Sequence, residues 1–168
     1  NVKLPQSTLQ QNLLSLYAGG QHADVTFVVG GKHVQAHASI LCVRSEVFAR
    51  ELACGMREST SKMIQIDDID MGIFKVMLKF LYSDDLGSVE ADLDTIEKEE
   101  AGVQSGSPSE EGGKSGQVAL LLRLLSVSHK YQVARLQLWC ESRLTKTVSV
   151  GNVCSVLCQV HLYQAKEL

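Results

Sequence analysis

Residues 23–45, ADVTFVVGGKHVQAHASILCVRS, constrain the chain more than any other stretch. Two apolar runs, 24–29 and 32–36, flank Gly30-Gly31. Two-residue hairpin turns require positive φ, which glycine adopts without steric cost, so the stretch predicts an antiparallel hairpin. Ala38 to Val43 then suits a short helix, and Ser45 suits the cap of the next one, which carries Val47, Phe48 and Leu52. No catalytic group stands between hairpin and helix.

The flanking segments continue an α+β pattern, a small sheet early and helices afterwards. Ser7 and Gln10 have capping-box spacing, and Leu9, Leu13, Leu16 and Tyr17 fall at i, i+4, i+7 and i+8 as one apolar stripe. Gly19-Gly20 ends that helix. Ile64 and Ile66 alternate with Met63 and Gln65 as a third strand. Asp70 caps a helix bearing Phe74, Met77, Leu78 and Leu81. Val118, Leu121, Leu122 and Leu125, with Leu120, Leu124 and Val127 on other faces, predict a helix buried nearly all round. Leu136, Trp139, Cys140 and Leu144 mark another, and Val153, Val156, Leu157 and Val160 form the stripe of a last pair capped by Ser149.

Charge is unevenly placed. The net charge is −3, yet residues 84–116 hold ten of the nineteen acids, opposed only by Lys98 and Lys114. The same stretch carries six glycines and Pro108. Such a composition buries too little apolar surface to offset its ordering entropy, so 84–116 is expected to be a flexible acidic insertion, with Val89, Leu93 and Ile96 supplying a helical turn or two.

Several function classes fall away. No dense basic face points to nucleic acid. The longest apolar runs are far too short to span a bilayer. No signal peptide opens the chain, and Asn1 in place of Met predicts an excised piece of a longer protein. Five cysteines, an odd number set in apolar patterns, predict free buried thiols in a reducing compartment rather than a disulfide framework. Cys154, Cys158 and His161 share a helical face but lack a fourth zinc ligand. Asp24, His37 and Ser45 supply triad residue types, yet Ser45 is better explained as a cap and His37 as a hydrogen-bonded structural group. Cys54 has only Arg50 and Arg57 as basic neighbours in sequence, a weak basis for a reactive thiol. No catalytic residue, metal or cofactor is expected.

The order of elements resembles a BTB/POZ domain. ADVTFVVGGKHVQAHASILCVRSEVF resembles that family's hairpin and helical pair, FKVMLKFLYSDDL its fourth helix, and SVSHKYQVARLQLWCESRL its last two. The flanks resemble those of MATH–BTB proteins such as the speckle-type POZ protein: NVKLPQSTLQQNL is similar to the linker and first helix after the MATH domain, and TVSVGNVCSVLCQVHLYQAKEL to the 3-box that opens the BACK region. The acidic insertion is more like plant members.

The resemblance implies residues 1–22 as linker and first dimerisation helix, 23–146 as BTB/POZ domain, and 147–168 as 3-box. It implies a non-catalytic homodimer with Leu9, Leu13, Leu16, Tyr17 and Ile40 at the two-fold interface. An apolar stripe placed before any sheet exists to cover it agrees with that. The resemblance also implies that Met56, Glu58 and Ser59, in a hydrophobic-x-Glu motif, contact the cullin-3 N-terminal domain. The function implied is a substrate adaptor of a cullin-3 ubiquitin ligase, with protein substrates bound by a MATH domain outside this chain, in nucleus or cytoplasm. The alternative is a transcription-regulator module recruiting corepressor peptides.

Overall fold

The computed structural model describes residues 6–53, 62–103 and 110–147, and the side chains of 101–115 lie outside the description. The elements run α1 (Leu9–Gly19), β1 (Val25–Val29), β2 (Lys32–Ala36), α2 (Ala38–Arg44), α3 (Glu46–Ala53), β3 (Lys62–Ile66), α4 (Met71–Ser83), α5 (Leu86–Val103), α6 (Glu110–Lys130) and α7 (Ala134–Thr147). The expected α+β class, a small three-stranded sheet flanked by helices, is what the chain adopts.

The sheet has order β2-β1-β3. β1 pairs antiparallel with β2, Val25 opposite Ala36 and Val29 opposite Lys32. β1 pairs parallel with β3, Phe27 opposite Ile64. Gly30 and Gly31 both have positive φ, 54° and 77°, as the hairpin turn demands. β1 is central, and Val25, Phe27 and Val29 point into the core without measurable exposure beyond 1%.

An aromatic cluster forms the centre. Phe27 meets Phe74 edge-on at 5.0 Å between ring centroids, and Tyr131 stacks on Phe48 at 4.4 Å. Such pairs add about 0.5–1.5 kcal/mol each beyond area burial. α4 supplies Ile73, Phe74, Met77, Leu78 and Phe80 to this core, all fully buried. α6 lies against α4 and α7, and Val118, Leu120, Leu121, Leu122, Leu124 and Val127 are buried, which matches a helix apolar on most faces.

Two caps stand where the sequence put them. Asp70 Oδ1 accepts from the backbone N–H groups of Gly72 and Ile73 at the start of α4. Ser45 Oγ accepts from Phe48 N–H at 3.2 Å and donates to the Tyr131 carbonyl at 2.6 Å, which ties α3 to the α6–α7 turn. The expected Ser7 cap is not used. Thr8 is the N-cap of α1 and makes no side-chain cap bond, because its φ/ψ of −103° and 0° are already helical.

The flexible acidic insertion is corrected over 86–103. That stretch is α5, a helix of 18 residues lying against α4 and α6. Val89 and Leu93 are 1% and 3% exposed, and Ile96 is partly buried against the same core. Composition misleads here because three of the acids are paired rather than left to solvent. Glu90 pairs with Arg143 of α7, Asp92 with Lys79 of α4, and Glu100 with Arg123 of α6. Three neighbouring helices each neutralise one carboxylate, while Val89, Leu93 and Ile96 at i, i+4 and i+7 bury the apolar stripe alongside them.

Candidate protein-interaction face

α1 and α2 both pack on α4. Both are tied to Tyr82 of that helix. The Tyr17 ring lies 5.0 Å from the Tyr82 ring, so α1 rests on it from one side. From the other side, His37, the residue before α2, places Nδ1 2.7 Å from the Tyr82 hydroxyl. Burial raises the pKa of Tyr82 above its ordinary value, and the hydrogen bond from the His37 backbone N–H opposes this. Burial, reinforced by Tyr82 and Asp92, pushes Tyr17 up to about 12.

The outer surface of this pair of helices is apolar and uncovered in the single chain. Leu9 is 67% exposed, and Leu13, Leu16 and Ile40 are half-buried. Val43, three residues after Ile40 and therefore on the same side of α2, is 85% exposed. Two further large apolar residues are exposed elsewhere, Met63 on β3 and Leu138 on α7, but neither stands beside a run of half-buried apolar residues on its own element like that of α1.

Leu9, Leu13 and Leu16 thus lie on α1, the helix of the stripe, and Ile40, which the resemblance added, lies on α2. Tyr17, expected beside them, commits its ring to Tyr82 within its own chain. Val43 adds an exposed apolar residue to α2 that the sequence reading did not single out, although its spacing of three from Ile40 was a readable signal. Gln21 and Asp24, which fix the start of α2, carried no such signal, because their roles come from a backbone carbonyl and from a contact fourteen residues along the chain.

Met56, Glu58 and Ser59 belong to the connection between α3 and β3 and lie outside the described residues, as does Cys54. The tail from residue 148 onward, with Ser149, Cys154, Cys158 and His161, lies outside them too.

The triad types have separate structural tasks. Asp24 Oδ1 accepts from the Ala38 N–H at 2.7 Å, Ser45 caps α3, and His37 is bonded to Tyr82 and to the Gln21 carbonyl. Among the described residues no group of three or more His, Cys, Asp or Glu side chains is arranged to hold a metal ion, and no helix is long and apolar enough to cross a membrane. Cys42 and Cys140 are free thiols, and burial pushes Cys140 up to about 12, away from thiolate reactivity.

The family model of the BTB/POZ domain matches residues 13–98. The chain is 32% identical over its whole length to BTB/POZ and MATH domain-containing protein 4 of Arabidopsis thaliana, covering 33% of that protein. It is 29% identical, again over its whole length, to BTB/POZ and MATH domain-containing protein 6 of the same plant, covering 38% of it. The chain therefore spans about a third of the length of these curated relatives. Among solved structures, the BTB domain of zebrafish PATZ1 superposes with a TM-score of 0.56 at 16% identity, covering 87% of this chain and 99% of that one, a likeness of fold. With its hairpin, its parallel third strand and its α1 and α2 seated together on α4, the chain belongs to the BTB/POZ domain family.

Proposed function

We propose that this chain is the BTB portion of a substrate adaptor for a cullin-3 ubiquitin ligase. The observation that carries the reading is the full-length likeness to plant BTB/POZ and MATH domain-containing proteins. The chain contributes no chemistry of its own. It homodimerises through Leu9, Leu13, Leu16, Ile40 and Val43. Met56 is the apolar anchor for the cullin-3 N-terminal domain, Glu58 a charged acceptor and Ser59 their neighbour, with residues 149–168 extending the surface as a 3-box. A MATH domain elsewhere in the protein holds the substrate. The free thiols at Cys42 and Cys140 fit a reducing compartment, nucleus or cytoplasm.

Calorimetry with the cullin-3 N-terminal domain tests this. Binding is expected, and Met56→Ala with Glu58→Ala is expected to weaken it by about 1–4 kcal/mol while the dimer persists. No heat of binding at micromolar concentrations rejects the adaptor reading in favour of a corepressor-recruiting module. Equal binding by the double variant rejects the assigned contact residues.

A further inference from the structure

His37 is 6% exposed, and both its ring nitrogens are engaged at 2.7 Å. Nε2 faces the backbone carbonyl of Gln21, which can only accept, so Nε2 carries a proton. The Tyr82 hydroxyl accepts from the His37 backbone N–H at 2.9 Å. Its own proton then points to Nδ1, which accepts it. A neutral imidazole in the Nε2–H form therefore satisfies the ring, the peptide N–H, the hydroxyl and the carbonyl together. The remaining charged group at this junction, Asp24, is occupied with the Ala38 N–H and so caps α2 from outside the helix.

Two separate parts of the chain, α4 and the connection between α1 and β1, thus meet at the first turn of a helix of only seven residues. Tyr82 comes from α4, Gln21 from the segment after α1, and Asp24 from the residue before β1. An isolated helix of that length is unstable in water, so its placement depends on these bonds together with the buried Leu41. The same bonds set the position of α1, since Gln21 follows α1 directly and Tyr17 rests on Tyr82.

We propose that His37, as the neutral Nε2–H tautomer, is a positioning residue for the dimer face: it fixes α1 and α2 relative to each other on Tyr82, so that Leu9, Ile40 and Val43 are preorganised for a second copy of this chain. The inference rests on the homodimer reading above. It adds a specific energetic division. Loss of the His37 bonds weakens the dimer more than it weakens the fold, because the face must then be ordered at the moment of association.

The test uses uniformly 15N-labelled protein and long-range proton–nitrogen correlation of the His37 ring. The expected pattern is a protonated Nε2 and an unprotonated, acceptor-type Nδ1. A ring protonated at Nδ1 overturns the proposal. His37→Gln, which retains an arm toward Gln21, and Tyr82→Phe, which deletes only the hydroxyl, are then compared by sedimentation for dimer dissociation and by urea unfolding for stability. If each variant protomer holds the face correctly ordered about a tenth of the time, the dimer dissociation constant rises about a hundredfold, because both protomers must be ordered at once. Should His37→Gln fail to fold, Tyr82→Phe decides. A wild-type dimer with unchanged dissociation constants in the folded variants overturns the positioning role alone. A wild-type chain that sediments as a monomer overturns the homodimer reading, and the positioning role with it.

Discussion

Lys79 on α4 holds both carboxylate oxygens of Asp92 on α5, with Nζ 2.8 Å from Oδ1 and 2.7 Å from Oδ2. The pair is one-third exposed on each side, so it contributes at most about 1 kcal/mol. Its larger significance is positional. Asp92 sits on the same helix as Val89 and Leu93, and its pairing lets that carboxylate lie against the body with a counter-charge.

The first prediction separates these two effects. Leu93→Ala is expected to destabilise the chain by about 2–4 kcal/mol, the range for emptying a buried leucine site. Asp92→Asn is expected to cost less than about 1 kcal/mol and to lose that effect in high salt. Urea unfolding of the two variants checks the order. Equal small effects would show that α5 does not pack as described.

The same helix shows where sequence reading stopped. The hairpin, the Asp70 and Ser45 caps and the apolar runs of α4 and α6 were legible, because each depends on residues within a few positions of one another. α5 was not, because the partners of its acids, Lys79, Arg123 and Arg143, lie up to fifty-three positions away. The spacing of Val89, Leu93 and Ile96 was visible, but the acid count outweighed it. The exposed apolar face was legible as a stripe on α1. Its extension to Val43, and its anchoring through Tyr82, required the tertiary contact between α2 and α4.

A second prediction concerns the turn. A Cβ added at Gly30 or Gly31 would meet nothing within 4 Å, so any cost of substitution is backbone cost alone. Both residues have positive φ, which costs a side-chain-bearing residue roughly 1–2 kcal/mol. Gly30→Ala and Gly31→Ala are each expected to lower stability by about that amount, while Gly30→Asn costs less, since asparagine tolerates this region. Thermal unfolding of the three variants measures it. A Gly31→Ala variant as stable as the wild type would mean that the turn relaxes to another type.

A third prediction addresses the apolar face. Leu9→Asp with Val43→Asp is expected to give a folded monomer. Leu9 and Val43 are mostly exposed in the single chain, so charges there leave its core intact, but each would be desolvated in a dimer. Light scattering checks the mass, and circular dichroism the fold. A dimer that survives both substitutions would move the interface off α1 and α2.

The last prediction follows from groups that the fold keeps protonated. Burial raises Tyr17 from 10.0 to about 12 and Cys140 from 9.0 to about 12. Both groups are neutral when protonated, so the folded chain retains protons that the unfolded chain releases as pH rises. The unfolded state then binds fewer protons, and stability falls with increasing pH. Sign and window follow directly: the contribution is fully present below about pH 9, declines first as the unfolded thiol ionises, declines further from about pH 10 as the unfolded phenol does, and is gone above about pH 12. Each pKa unit corresponds to about 1.4 kcal/mol at full effect, and partial exposure of Tyr17 reduces its share. Urea midpoints measured from pH 8 to about pH 11 should therefore decrease steadily, and Cys140→Ala should flatten the part of the curve nearest pH 9 despite its lower absolute stability. A wild-type midpoint independent of pH across that interval would show that these two groups ionise alike in the folded and unfolded states, and that the packing of Tyr17 on Tyr82 is looser than its 5.0 Å ring separation implies.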